Sequence, residues 1–312
     1  MTDTSRSILS RIGRTPLVAL RHIVPANGSR ILLKLESENP TGSMKDRMAL
    51  AMVEAAEADG RLQPAGPVVE YTGGSTGVSL ALVCAVKRHP LHIVTSDAFA
   101  REKLDHMRVL GARLTIIGSD GGRMTERLTR DMIEAARRMT QETGGYWTDQ
   151  LNNTDQLAAY HAMAREIVDG LPERIDAFVQ AVGTAACLRG VAEGLRSHDP
   201  NIRIVAVEPA ESAVLSGGTS GGHKIDGVGA GFVVPLWHDA IADRIEQVST
   251  AEASSMALRL AREEGLFAGT STGANVTAAL RLAESLPARS TIVTPMCDTG
   301  MKYLKTFAAA LV

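Results

Sequence analysis

Short apolar runs alternate with longer amphipathic stretches along nearly the whole chain, the pattern of parallel sheets covered by helices on both faces. The runs predict strands at Ile31–Leu35, Val68–Tyr71, His92–Thr95, Arg113–Ile117, Ala177–Ala181, Arg203–Glu208 and Thr291–Met296. Helical spacing predicts helices at Met44–Asp59, Gly77–Lys87, Arg101–Leu110, Arg123–Glu142 and Asp155–Asp169. It predicts four more at Ala185–Ser197, Ala251–Glu264, Gly273–Ser285 and Thr299–Ala310. Gly60, Gly111, Gly144, Gly170 and Gly265 each follow a helical run, where a left-handed C-cap residue is expected. A chain of this class and length usually divides in two, and Gly144–Asn153, with its Gly-Gly and Asn-Asn pairs, is the best crossing point. The expected domains are therefore 1–150 and 151–312, with the earliest residues free to pack on the second.

Composition narrows the partners. Of 312 residues 45% are hydrophobic, as in an ordinary globular protein, and Lys+Arg 33 against Asp+Glu 35 leaves a net charge of -2. There is no basic block or aromatic-interleaved basic stripe, so nucleic acid is not an expected partner and a small-molecule ligand is. Cys84, Cys187 and Cys297 lie far apart and form no C-x-x-C pair, which argues against a zinc site and against a disulfide framework, and no metal is expected. Met1–Arg11 lacks the apolar core of a signal peptide and no apolar run is long enough to span a bilayer, so the expected location is the cytoplasm. Cys84 and Cys297 read as small core hydrophobes. His22, His89, His106, His198 and His238 lack ligand spacing and read as surface or structural residues, and Trp147 and Trp237 as packing.

Ligands of doubly wound sheets sit beyond the carboxyl ends of strands, so the strand-to-helix turns carry the chemistry. Four stand out. In Asn39-Pro40-Thr41-Gly42-Ser43-Met44-Lys45-Asp46-Arg47, Ser43 reads as an N-cap and Asp46 as its capping-box partner, which places Lys45 at the second helical position. A lysine there faces the positive end of the helix dipole, where an ammonium is disfavoured; that suits a Schiff-base amine, although a solvated surface lysine fits the stretch as well. Thr72-Gly73-Gly74-Ser75-Thr76-Gly77 combines glycines with three hydroxyls at a helix start, suited to a carboxylate or phosphate, or simply a tight turn. Gly183-Thr184-Ala185-Ala186-Cys187 repeats that geometry with methyl groups where a phosphate cradle more often has glycine. Gly269-Thr270-Ser271-Thr272-Gly273 opens another helix with hydroxyls that could bond a ring nitrogen, a composition also common in plain N-caps.

Taken in this order the four loops resemble those of the cysteine synthase (O-acetylserine sulfhydrylase) and cystathionine β-synthase family, pyridoxal-phosphate enzymes of the tryptophan-synthase β type, fold type II. The likeness begins at Ile12-Gly13-Arg14-Thr15-Pro16-Leu17-Val18 and runs through Gln150-Leu151-Asn152, Ala206-Val207-Glu208-Pro209, Leu215-Ser216-Gly217-Gly218, His223–Phe232 and Glu263–Gly273. It implies two α/β domains, each a mainly parallel twisted sheet with helices on both faces, and pyridoxal 5'-phosphate in the cleft between them. It makes Lys45 the Schiff-base lysine and general base. The cofactor phosphate then falls to Gly183, Thr184, Ala185, Ala186 and Cys187, the pyridine nitrogen to Ser271, and Gly229 lies near the ring. The substrate carboxylate falls to Thr72, Gly73, Gly74, Ser75, Thr76 and Gln150.

The implied reaction is β-replacement on an O-activated L-serine through an aminoacrylate, O-acetylserine and sulfide giving L-cysteine and acetate. Another nucleophile, such as homocysteine, or a relative that binds without turnover, are the alternatives. The resemblance also implies a homodimer, and relatives accept the C-terminal tail of serine acetyltransferase. Three departures stand beside the chemistry. Most relatives have serine or threonine at the position of Gly73 and, at Ser75, an asparagine that bonds the cofactor and touches substrate. They commonly have Gly-Gly-Thr at Ala185-Ala186-Cys187. The ending Cys297-Asp298-Thr299-Gly300 is closer to the second bacterial cysteine synthase type, whereas Leu215–Gly218 looks like the first.

Overall fold

The structure is a computed structural model that describes residues 7–122 and 125–309. Its elements in chain order are β1 (Leu17–Ala19), β2 (Arg30–Leu35), α1 (Lys45–Asp59), β3 (Val68–Tyr71), α2 (Ser75–Lys87), β4 (Leu91–Ser96), α3 (Arg101–Val109) and β5 (Arg113–Ile117). There follow α4 (Glu126–Thr143), β6 (Tyr146–Trp147), α5 (Gln156–Asp169), β7 (Ala177–Ala181), α6 (Ala186–His198) and β8 (Arg203–Pro209). The described chain ends with β9 (Arg244–Val248), α7 (Thr250–Glu263), α8 (Thr270–Ser285), β10 (Thr291–Met296) and α9 (Leu304–Ala309). Two compact units result. One holds the described residues up to Ile12 with Asn39–Gln156, the other Gly13–Glu38 with the described residues from Leu157 onward.

The first unit is a parallel four-stranded sheet in the order β5-β4-β3-β6. The two-residue period of a strand explains its layers. Val68, Leu91 and Ile93 share one core with Ala49, Val53, Val78, Val83 and Met107 from α1, α2 and α3. Val69, Tyr71 and Val94 share another with Leu128, Met132 and Ala136 from α4. Helices thus cover both faces, and β3 is buried at every residue.

The second unit is a six-stranded sheet, β1-β2-β10-β7-β8-β9, parallel except for β1. Ile31, Leu33, Val179, Val205 and Ile292 pack with Ala253, Leu260, Ala274, Val276 and Leu282 of α7 and α8. Phe178, Ile204 and Val293 alternate with these and are also fully buried. Within β2, Lys34 is 1% exposed; its amine bonds the Thr15 carbonyl and, at 2.6 Å, the Glu166 carboxylate. Thr15 in turn donates its hydroxyl to buried Glu36 at 2.6 Å.

Several expectations change. The units divide between Gln156 and Leu157, and Gly13–Glu38 belongs with the second because β2 takes its parallel partner from β10 and carries β1 with it. Strands β1, β6 and β9 were not anticipated: all three are sheet edges and β6 has only two residues, so none shows a clear apolar alternation. Helices α2 and α8 begin at Ser75 and Thr270, earlier than their apolar periodicity. The last predicted helix is a 3-10 turn, Gly300–Tyr303, followed by α9. Gly60, Gly111, Gly144 and Gly265 have positive φ, but Gly170 does not. Its glycine is needed for room, since a Cβ there would lie 3.0 Å from the Glu166 carbonyl and 3.1 Å from Leu17 Cδ1. Residues Met1–Arg6, the predicted helix start at Arg123 and the predicted end of the last helix at Ala310 lie outside the described residues.

Candidate active site

In the first unit Lys45 is the first residue of α1, half-buried, and its backbone N–H donates to the Ser43 hydroxyl at 3.3 Å. Its amine makes no hydrogen bond or ion pair among the described residues. The expected capping box does not form, because Asp46 is used elsewhere. Fully buried, its carboxylate accepts the Thr41 N–H at 2.7 Å, the Thr41 hydroxyl, and the Ser79 hydroxyl at 2.6 Å. Ser79 lies one turn into α2, so Asp46 ties the start of α1 to the start of α2. The sequence shows the acidic residue beside Lys45 but not this tie.

Helix α2 opens at Ser75, half-buried, with Gly74 as an N-cap that makes no side-chain cap hydrogen bond. Thr72 accepts the Gly74 N–H at 3.2 Å, which folds the turn. The Thr76 hydroxyl donates to Gln150 Oε1 at 2.8 Å, and Gln150 Nε2 donates to the Tyr71 carbonyl at 3.2 Å. Thr72, Thr76 and Gln150, singled out in sequence for one carboxylate, therefore lie around one helix N-terminus, where N–H groups and dipole favour an anion.

Sequence reasoning missed the group behind them. Glu70 is fully buried and accepts from Tyr71 N at 2.8 Å, Thr148 Oγ1 at 2.7 Å, Gln150 N at 3.0 Å and Trp147 Nε1 at 3.4 Å. Burial pushes its carboxyl up to about 7, against these hydrogen bonds, which favour the charged form. The signal was a lone acid in the apolar run Val68-Val69-Glu70-Tyr71. Gln156, also missed, donates to the Gln150 carbonyl at 2.8 Å.

In the second unit Gly183–Cys187 joins β7 to α6. Ala185 is the helix N-cap, with φ 66 and ψ -15, and no side chain caps the helix. A left-handed residue followed by right-handed ones turns successive N–H groups to one side and makes an anion nest. For a residue with a Cβ that conformation costs about 1 to 2 kcal/mol. Gly183 has no room for a side chain, as a Cβ would sit 2.4 Å from the Gly227 carbonyl. Gly229, with φ 63, donates its N–H to the Val182 carbonyl at 3.0 Å and so lies beside this loop.

Ser271, in the first turn of α8, is 4% exposed, and its hydroxyl makes no hydrogen bond among the described residues. Its neighbours are engaged: Thr270 accepts the Asp226 N–H and Thr272 the Cys297 N–H, each at 3.1 Å. Asn275 accepts the Ala181 N–H at 2.7 Å and holds α8 against the end of β7, two residues before Gly183. An uncapped nest and a nearly buried hydroxyl without a partner fit the phosphate and ring nitrogen of pyridoxal phosphate. No group of three metal-ligating side chains and no helix long and apolar enough to cross a membrane occurs among the described residues.

The sequence model of the pyridoxal-phosphate dependent enzyme family matches residues 8–298. A cysteine synthase of Staphylococcus aureus is 38% identical over 303 residues, 96% of each chain. O-ureido-L-serine synthase of Streptomyces lavendulae is 36% identical over 308 residues, covering 96% of this chain and 91% of that one. The crystal structure of cysteine synthase from Entamoeba histolytica has a TM-score of 0.89 at 36% identity, covering 98% of this chain and 92% of that one.

Proposed function

The chain belongs to the pyridoxal-phosphate dependent enzyme family, and we propose that it carries out β-replacement on an O-activated L-serine, with O-acetylserine and sulfide giving L-cysteine and acetate. When bound, pyridoxal phosphate supplies an electron sink for the α-carbon of an attached amino acid. Lys45 Nζ holds the cofactor at rest, then removes the α-proton as general base and later returns it. The α2 N-terminus, Thr72, Thr76 and Gln150 bind and orient the α-carboxylate. Gly183–Cys187 hold the cofactor phosphate through backbone N–H groups, and Ser271 offers the ring nitrogen a neutral hydroxyl. Such a partner does not keep the nitrogen protonated as an aspartate would, which moderates the electron sink and favours loss of a β-substituent over transamination.

The observation that carries this reading is the Lys45 amine, left without a partner on a helix start that Asp46 anchors to α2. Stopped-flow absorbance of the cofactor-loaded protein tests it: O-acetylserine alone should change the cofactor spectrum, and sulfide should then restore it. A spectrum unmoved by O-acetylserine or O-phosphoserine refutes the proposal. The similarity to O-ureido-L-serine synthase, together with glycine and serine at positions 73 and 75, favours a second reading in which another nucleophile replaces sulfide. Competing nucleophiles added after O-acetylserine separate the two. We further propose a cytoplasmic homodimer able to accept the C-terminal tail of serine acetyltransferase, to be checked by sedimentation with and without that peptide.

A further inference from the structure

The ring of Phe99 lies directly against Gly73 in the Thr72–Gly77 turn. A Cβ built on Gly73 would fall 1.9 Å from both Cδ2 and Cγ of Phe99 and 2.4 Å from Cδ1. These include the atom that joins the ring to its stem, so a small swing of a free end does not clear them. Gly73 is buried and its φ is not in the left-handed region, so glycine stands there for space and not for backbone conformation. Phe99 is half-buried and packs against the cores on both faces of the first unit's sheet, which fixes it from behind. Its neighbour Ala98 is also held, by its N–H on the Ser96 hydroxyl at 3.2 Å.

We infer that Phe99 is a positioning residue for amino-acid binding, its ring taking the room of the side chain that Gly73 lacks and setting where the Gly73–Gly74 backbone lies. The inference rests on the proposed role of Thr72–Thr76 as the carboxylate loop. The room that a side chain at position 73 would need is taken in this chain by the Phe99 ring. Carboxylate recognition then falls on Thr72, Thr76, Gln150 and the N–H groups of α2, all held at a height that the ring dictates. Positions 73 and 99 form one unit, so neither is exchangeable without the other.

The test is a four-protein cycle of cofactor-loaded enzyme: wild type, Gly73→Ser, Phe99→Ala and the double variant, each with O-acetylserine at saturating sulfide. Gly73→Ser should raise KM by about tenfold or more, the size expected of overpacking in a filled space, with kcat changed far less. Phe99→Ala should raise KM by a smaller factor. In the double variant the serine has room, and KM should return to within about threefold of wild type, a coupling that independent sites do not show. An unchanged KM in Gly73→Ser, or factors that simply multiply in the double variant, overturns the inference. If wild type turns over no O-activated serine, the proposed reaction falls instead, and Kd for L-serine, read from cofactor absorbance, replaces KM. The same pattern in Kd upholds the role of Phe99, and equal values in all four proteins refute it. Thermal midpoints confirm that each variant is folded.

Discussion

Replacing Glu70 by glutamine removes one titration from the interior of the first unit, and the effect can be worked through. In the unfolded chain this carboxyl titrates near 4.5, and in the folded protein burial raises it to about 7. Below the lower value both states carry the proton and the contribution to stability is complete. Between the two, the unfolded chain releases its proton while the folded protein keeps it, so stability falls as pH rises; above about 7 the contribution is gone. A shift from 4.5 to about 7 corresponds to about 3 kcal/mol in all, most of it lost between pH 5 and pH 8. Glutamine does not titrate, although its amide meets the Gln150 or Tyr71 N–H unfavourably and lowers stability by an amount independent of pH.

The assay is urea unfolding of both proteins from pH 5 to pH 8, read by the emission of Trp147, whose indole bonds Glu70, in a background Trp237→Phe. The advantage of wild type over Glu70→Gln should shrink by about 2 to 3 kcal/mol across that range. Parallel stability curves, or an advantage that grows with pH, would refute the argument that burial outweighs the four hydrogen bonds.

Other expectations are simpler to state. Ser79→Ala takes one donor from buried Asp46 and should cost about 1 to 3 kcal/mol in urea unfolding, with a fall in kcat because the helix start bearing Lys45 loosens. Lys34→Met breaks its pairing with Glu166 and the Thr15 carbonyl and should cost about 3 kcal/mol, seen as a lower unfolding midpoint. Gly183→Ala drives a methyl against the Gly227 carbonyl and should weaken cofactor retention by about tenfold or more, measured by dialysis and absorbance, while Gly111→Ala, in open space but at positive φ, should lower the unfolding midpoint and spare cofactor affinity.

The alternation of buried runs and amphipathic stretches is enough to read two parallel sheets, because strands such as Val68–Tyr71 and Ala177–Ala181 are buried on both faces and carry the signal in every residue. Edges such as β9 carry half of it and were missed. The helix starts near Lys45, Ser75 and Ser271 are legible from punctuation by proline, glycine and hydroxyl residues, which act within a few positions. What Asp46 bonds is not legible: it was assigned to its own turn, and its partner Ser79 is on another helix. The reason for Gly73 is equally remote, since nothing in Thr72–Gly77 points to Phe99. Glycines likewise look alike in sequence, yet Gly60 supplies a left-handed turn and Gly170 supplies clearance.

The pairing of β2 with β10 has a consequence for how the chain is made. Arg30 aligns with Thr291, so β2 waits for a strand made much later in synthesis before its parallel edge is closed. The first unit's sheet is built wholly from β3 to β6 and can form while synthesis continues, as domains generally do. Until then β2 offers Ile31, Leu33 and Leu35 and an open row of backbone groups to any passing chain. Loop closure over so long a separation makes this a slow native contact to find. A nascent or truncated chain that lacks β10 is thus a natural client for chaperones, and its hazard is aggregation through β2.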